Sequence, residues 1–450
     1  EILVSTAMAV LAVLSSALAL LSPSTPVRHA STACFTRSRA PPTMAFSPRV
    51  VLSEVVLRVQ RFLDPELVLH TLPERDIIQS ETDLYAVAEA FPEKYRQLFI
   101  GWYEGYREQV TAPKPKGPGL TDAEVLAIFN RIVDRIILMS RQPFSFQSRH
   151  EAIEQPYDYF SFGQSYVQPL MDYDNSYLRN PQNWVAAKQA LDRGENVVLL
   201  ANHQSEADAA FLPLFFERSG ADWAAFGRST YYVAGDRVVA DSLAQPFSMG
   251  RNLFCVHSKK YIESEPKAEV RKAKTQQNKR TLMEMLKALK GGGMLIWVAP
   301  SGGRDRPQGD DGRPTPADWD PAVIEMFRSL GSKSGIATHL YPMAMATYAI
   351  MPPPDGRNKA LGEARVTKFS GSALSLGPEA DLSEDAAWRA RDPDAKVALC
   401  SHIFDQVCEE YDKIDQVMVG FNKDESVAFV PPNSVQPWEP NAMKSMAAAA

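Results

Sequence analysis

Residues 196–217 read NVVLLANHQSEADAAFLPLFFE. The apolar run VVLLA reads as a β-strand, Asn202-His203-Gln204 as a turn, and the stretch through FLPLFFE as a helix. Ser205 fits a helix N-cap, and Ser205-Glu206-Ala207-Asp208 fits a capping box with Asp208 at the third helical position. Two readings of His203 and Asp208 compete. In one, His203 is a turn residue bonded to a neighbour and Asp208 only caps the helix. In the other, they are a base and its orienting carboxylate. Residues five apart on a continuous helix are separated by roughly 140°. The pair can therefore meet only if His203 lies in the turn and Asp208 in the first helical turn. There Asp208 can bond Nδ1 and leave Nε2 to take a proton from a hydroxyl.

Around this unit, short apolar runs alternate with longer amphipathic ones: TYYVAG, LFCVHS, the basic stretch near residues 267–290, GMLIWVAP and HLYPMAMATYAI. Strands alternating with helices predict an α/β fold, a largely parallel mixed sheet flanked by helices. In such sheets chemistry gathers at the carboxyl ends of the strands. Upstream, DLYAVAEAFPEKYRQLFIGWYEGYREQV and AEVLAIFNRIVDRIILM have helical spacing, with a Pro-, Gly- and Lys-rich linker and a capping start at Thr121–Glu124 between them. The expected organisation is a presequence over 1–50, a small all-helical domain over 51–145, an α/β domain over 146–425, and a C-terminal tail over 426–450. The tail is polar and proline-bearing and reads as surface or disordered chain.

The composition is globular, 45% apolar and 23% charged, and a net charge of −6 gives no support to nucleic-acid binding. The four cysteines have no metal-ligand spacing and suggest a reducing compartment. No Asp or Glu occurs between Glu1 and Glu54. Within that span, the short apolar run MAVLAVLSSALALL suits a signal-peptide core, and STACFTRSRAPPTMAFSPR suits a transit peptide. The address reads as a plastid one, of the two-part kind used where an extra membrane is crossed. A disordered tail or a membrane anchor is the plainer alternative.

Two further stretches bear on chemistry. In LIWVAPSGGRDRPQGDDG, residues 295–312, a strand runs into a glycine turn, and Arg304 and Arg306 are two apart. On extended chain they point to one side, with Asp305 facing the other way. Two guanidinium forks beside Gly302-Gly303 suit a phosphate; a solvated, internally paired loop is the alternative. In MGRNLFCVHSKKYIESE, Lys259 and Lys260 could add charge to the same anion or be plain surface.

The order of the motifs resembles the glycerolipid acyltransferase family: NHxxxxD, a glycine-arginine strand, a Pro-x-Gly-x-Arg turn and an apolar strand carrying Pro342. YVAGDRV, GRNLFCVHSKK, LIWVAPSGGRDRP, IMPPP and HEAIEQPYDYFSFGQSYVQPL resemble its soluble plastid-type glycerol-3-phosphate acyltransferase branch, from about Asp134 to Ile350 and beyond. The resemblance implies that His203 takes the proton from the 1-hydroxyl of glycerol 3-phosphate while Asp208 orients it. The acyl group would come from acyl-acyl carrier protein or acyl-coenzyme A as co-substrate, with no metal and no cofactor. Lys260, Arg304 and Arg306 would hold the phosphate, in a plastid stroma. One position departs from the branch pattern: Tyr261 stands where the branch has a phosphate-binding histidine, and tyrosine normally carries no positive charge.

Between His257 and Lys290, ten basic residues face four acidic ones, a local excess of six positive charges. The stretch 259–290 suits an acidic partner such as acyl carrier protein, and equally peripheral contact with an anionic membrane or a merely solvated helix face. Two other functions compete with the first: a 1-acylglycerol-3-phosphate acyltransferase, and a non-catalytic acyl carrier protein or lipid-binding module. No GxSxG, Walker A or GxGxxG pattern occurs, which argues against a serine hydrolase or a nucleotide-binding enzyme.

Overall fold

A computed structural model describes residues 48–91, 93–114, 119–308, 312–353, 365–424, 426–440 and 442–443. The presequence reading of 1–50 lies almost wholly outside them, and Pro48 already opens a helix that runs to Leu63.

The strands are β1 (Arg149–His150), β2 (Tyr177–Arg179), β3 (Asn196–Ala201), β4 (Tyr231–Ala234), β5 (Asn252–Cys255), β6 (Leu295–Val298), β7 (Arg306–Pro307), β8 (Pro314–Thr315), β9 (Thr338–Ala346), β10 (Ala373–Leu376) and β11 (Ser434–Val435). Nine form one sheet in the order β1-β5-β4-β6-β3-β9-β10-β2-β11, and β7 and β8 form a small separate ribbon. The five pairings β5-β4, β4-β6, β6-β3, β3-β9 and β10-β2 are parallel. The three pairings β1-β5, β9-β10 and β2-β11 are antiparallel. The sheet is thus the largely parallel mixed one expected. Parallel neighbours deliver their carboxyl ends to one edge, so the chain leaving β3 emerges between the chains leaving β6 and β9.

Every residue of β3 is buried, because helices cover both sides. Val197, Leu199 and Ala201 face one apolar cluster, which includes Phe211 and Phe215 of the helix Asp208–Phe216. Val198 and Leu200 face the other, built with the helices Ala268–Gly291, Pro321–Ser334 and Ala395–Asp412. Alternate side chains on a strand point to opposite faces, so a strand covered twice must be apolar throughout.

The helices Glu81–Glu89, Glu93–Thr111 and Asp122–Arg141 form where the spacing predicts them. The expected cap exists: Thr121 Oγ accepts from Glu124 N–H at 3.3 Å, and Glu124 Oε2 accepts from Thr121 N–H at 2.7 Å. These helices share the apolar cluster of one sheet face. Tyr106 stacks on Tyr166 with ring centres 4.8 Å apart, and Trp102 Nε1–H donates to the Tyr166 hydroxyl at 2.6 Å.

One detail differs from the sequence reading. Part of the tail is built into the sheet: β11 pairs with β2, and Trp438 packs against Tyr173 and Phe215. The polar composition that suggested loose chain belongs to the residues on either side of this two-residue strand. Pro342 lies inside β9, the apolar strand expected to carry it, and its carbonyl accepts from Gly377 N–H at 2.8 Å. The return bond cannot form, since proline has no N–H, and the β9–β10 ladder stops there. Gly377 admits the ring; a Cβ on it would lie 2.7 Å from Pro342 Cγ.

Candidate active site

His203 lies two residues past the end of β3, in the connection to the next helix, with its side chain 29% exposed; Asp208, 1% exposed, opens that helix. The structure brings them together: His203 Nδ1 and Asp208 Oδ2 are 2.7 Å apart. Asp208 also accepts from Gln204 N–H at 2.7 Å, from the Ser205 hydroxyl at 3.1 Å and from the Thr347 hydroxyl at 2.7 Å. Burial alone would raise its pKa. The hydrogen bond and charge of His203, then Thr347 and the Gln204 amide, outweigh that and hold the carboxyl below its ordinary value. An ionised carboxylate only accepts, so Nδ1 must carry the proton, and Nε2 is the nitrogen available as a base.

The capping-box expectation fails at this turn. The helix begins at Asp208, later than predicted, and Ala207 at its N-cap makes no side-chain cap. Ser205 Oγ accepts from Ala207 N–H at 3.0 Å, within a turn that is not yet helical. Asp208 reaches back to Gln204 N–H and not to that of Ser205. The physical reason is the buried carboxylate itself, which collects donors from two strand ends.

Three strand ends meet here, and the links between them had no signature in the sequence. From β3, Asn202 Oδ1 accepts from Met345 N–H at 2.8 Å, while its Nδ2–H donates to Met345 O at 3.1 Å and to Asp305 Oδ2 at 2.8 Å. Gln204 Oε1 accepts from the N–H groups of Thr347 and Tyr348 at 2.8 and 3.1 Å, and its Nε2–H donates to the Tyr411 hydroxyl at 2.8 Å. From β6, Trp297 sets its ring nearly perpendicular to that of His203, with centres 5.7 Å apart.

The turn after β6 carries the arginines. Asp305 is fully buried between them, and Arg304 Nη1–H donates to Glu206 Oε1 at 2.9 Å. The other oxygen of Glu206 lies 3.4 Å from Arg365 Nε, so this carboxylate bridges two guanidiniums three residues beyond His203. Desolvation would raise the Glu206 pKa, but Arg365 and Arg304 outweigh it and lower it. Arg306, half-buried, starts β7, and its Nη1–H donates to Asp305 O at 3.3 Å. Lys260 and Tyr261 belong to the short helix Lys259–Glu263; their side chains fall outside the described residues. Arg365 and Glu206 were not singled out from sequence, because each is an ordinary surface charge until the fold sets it beside Arg304.

A family model described as acyltransferase matches residues 183–346, the span from the helix before β3 to the end of β9. The chain is 40% identical over 318 residues to a chloroplastic glycerol-3-phosphate acyltransferase of Cucurbita moschata, covering 71% of this chain and 67% of that one. It is 37% identical over 348 residues to the chloroplastic enzyme of Spinacia oleracea, covering 77% and 72%. The chain belongs to the chloroplastic glycerol-3-phosphate acyltransferase family. The family is plastidial, as the sequence reading expected. Among the described residues, no helix is long and apolar enough to cross a membrane.

The basic stretch 259–290 is mostly the helix Ala268–Gly291. It is largely exposed up to Arg280, including Arg271, Lys272 and Lys279, while Thr281, Met285, Ala288 and Leu289 seat the remainder. Lys274 is spent on Glu265 at 3.0 Å.

Proposed function

We propose that the chain transfers a fatty acyl group to the 1-hydroxyl of glycerol 3-phosphate in the plastid, giving 1-acylglycerol 3-phosphate, the first step of glycerolipid synthesis. The observation that carries the reading is the His203–Asp208 contact at 2.7 Å, placed between the ends of β6 and β9 and beside Arg304. His203 Nε2 takes the proton as the hydroxyl oxygen attacks the thioester carbonyl. Asp208 fixes the Nδ1–H tautomer and stabilises the imidazolium that forms. The tetrahedral adduct collapses with loss of the thiolate, which recovers the proton from Nε2. Acyl transfer from a thioester to an alcohol changes no oxidation state, so this mechanism calls for no cofactor.

Arg304 and Arg306, with Lys260, hold the phosphate and so orient a small triol-like acceptor for attack by one hydroxyl. Tyr261 supplies at most a neutral hydrogen bond there. The donor is acyl-acyl carrier protein, with acyl-coenzyme A as a second possibility, and the exposed cations of the 259–290 stretch steer the acidic carrier. The helical region 51–145 and the α/β region 146–425 work as one unit in this scheme.

The test is turnover by the whole chain with labelled glycerol 3-phosphate and either donor, alongside His203→Ala. The expected result is labelled 1-acylglycerol 3-phosphate from the parent and none from a variant with the same melting temperature. Equal turnover by the variant, or acylation of 1-acylglycerol 3-phosphate in preference to glycerol 3-phosphate, sinks the proposal.

A further inference from the structure

Asp305 is the acid between the two arginines of the phosphate-binding turn, yet it faces away from solvent entirely. Three bonds fix it. Asn202 Nδ2–H donates to Oδ2 at 2.8 Å, Ala317 N–H donates to Oδ1 at 3.0 Å, and the Asp305 N–H donates to His203 O at 2.5 Å. The Asn202 amide cannot turn round, because its oxygen and nitrogen are already matched to the N–H and C=O of Met345 in β9. It must therefore present N–H to Asp305. Both carboxylate oxygens of Asp305 thus face N–H donors, which suits an ionised carboxylate.

The geometry points to Asp305 as a positioning residue, which sets the span between the anion-binding arginines and His203. This rests on the phosphate role given to Arg304 and Arg306 above. The turn that carries the arginines is attached to the β3 end through the carboxylate and, one bond closer, through the backbone of His203 itself. Movement of the arginine turn cannot occur without moving the peptide that bears the imidazole. A phosphate gripped by the arginines then has its hydroxyl delivered at a set distance from Nε2. Proximity effects are steep, and a 1 Å error costs about a hundredfold in rate. The buried carboxylate also carries a cost: desolvation, partly offset by Asn202 and the Ala317 amide, pushes its pKa up to about 6. Holding a charge against desolvation is expected where position matters more than stability.

The test uses the whole chain as parent, Asp305→Asn, and a swapped pair, Asn202→Asp with Asp305→Asn. The single variant keeps the shape but sets an NH2 against one of two N–H donors. The swap restores the bond between the two side chains, with the carboxylate now on residue 202, but gives up the bond from residue 202 to Met345 O, so its recovery is partial. Three quantities are read: the Kd for inorganic phosphate by calorimetry, kcat with glycerol 3-phosphate, and the response of the His203 ring 15N signals to inorganic phosphate. Asp305→Asn should keep phosphate affinity within about threefold while kcat falls about a hundredfold. Its His203 signals should stop responding to phosphate, and the swap should recover about tenfold of the lost rate. The proposal is overturned if the single variant keeps kcat and the phosphate response. It is overturned as well if affinity, rate and melting temperature fall together without rescue by the swap, if neither variant folds, or if the parent binds no phosphate. A parent that binds phosphate but does not acylate glycerol 3-phosphate counts against the function proposed above, and the 15N response still decides the role of Asp305.

Discussion

The hydroxyl of Thr347 donates to Asp208 Oδ1 at 2.7 Å, joining the residue just past β9 to the first residue of the helix that follows β3. Thr347 is fully buried, so its hydroxyl serves the carboxylate and not solvent. Replacing it with valine removes one of four donors while keeping the shape. Hydrogen bonds to charged groups contribute about 1.5–3 kcal/mol, so Thr347→Val should lower stability by that order and kcat about tenfold. Thr347→Ser should restore most of both. Denaturant titration and steady-state kinetics on the three proteins check this; a valine variant with parental kcat refutes the link.

Asp208→Asn should be far more damaging to rate than to fold. The new amide either sets an NH2 against Nδ1–H or forces the other imidazole tautomer, which takes the base away from Nε2. By the precedent of hydrolytic triads the loss in kcat is roughly 10³–10⁴. Steady-state assays with a matched thermal melt provide the measurement.

Arg304→Lys should raise KM for glycerol 3-phosphate about tenfold and leave kcat at saturation within about threefold. A lysine keeps the charge but not the fork that can hold Glu206 and a phosphate oxygen together. A change confined to kcat would place Arg304 in the chemical step and not in binding.

The pH dependence of stability separates the two buried acids. Asp208 is held below its ordinary pKa, so its contribution is present above the unfolded value and lost as pH falls through the folded one. Asp305 is opposite in sign. With a folded pKa of about 6 against 3.8 unfolded, the native state binds more protons between those values, and this group's contribution declines as pH rises through the window. The parent should therefore gain stability relative to Asp305→Asn as pH drops from about 7 to 5. Urea midpoints of both proteins at the two pH values test the sign.

Trp438→Ala should destabilise the fold by about 1–3 kcal/mol, through loss of its contacts with Tyr173 and Phe215. An unchanged urea midpoint would return the C-terminal segment to the role of loose surface chain.

Much of the fold was legible because β3, β6 and β9 are apolar on both faces and their helices are spaced for burial. His203 and Asp208 were legible because they are only five positions apart, within reach of local helix geometry. The partners that complete the site were not. Asn202 and Asp305 are 103 residues apart, Asp208 and Thr347 139, and Gln204 and Tyr411 207. No periodicity records such pairs; they exist only once β3 lies between β6 and β9. The helix start was misplaced for a related reason. Local capping chemistry favours Ser205, but a distant threonine and the neighbouring histidine compete for the carboxylate that the capping box requires.

Pro342 has a bearing on strand register. Because proline offers no N–H to Gly377, the β9–β10 ladder breaks at that pair, and the chain beyond it touches β9 again where Ala380 N–H donates to Leu340 O at 2.8 Å. Pro342 and Gly377 therefore fix where β10 stops against β9, and a side chain at 377 would push the two strands apart.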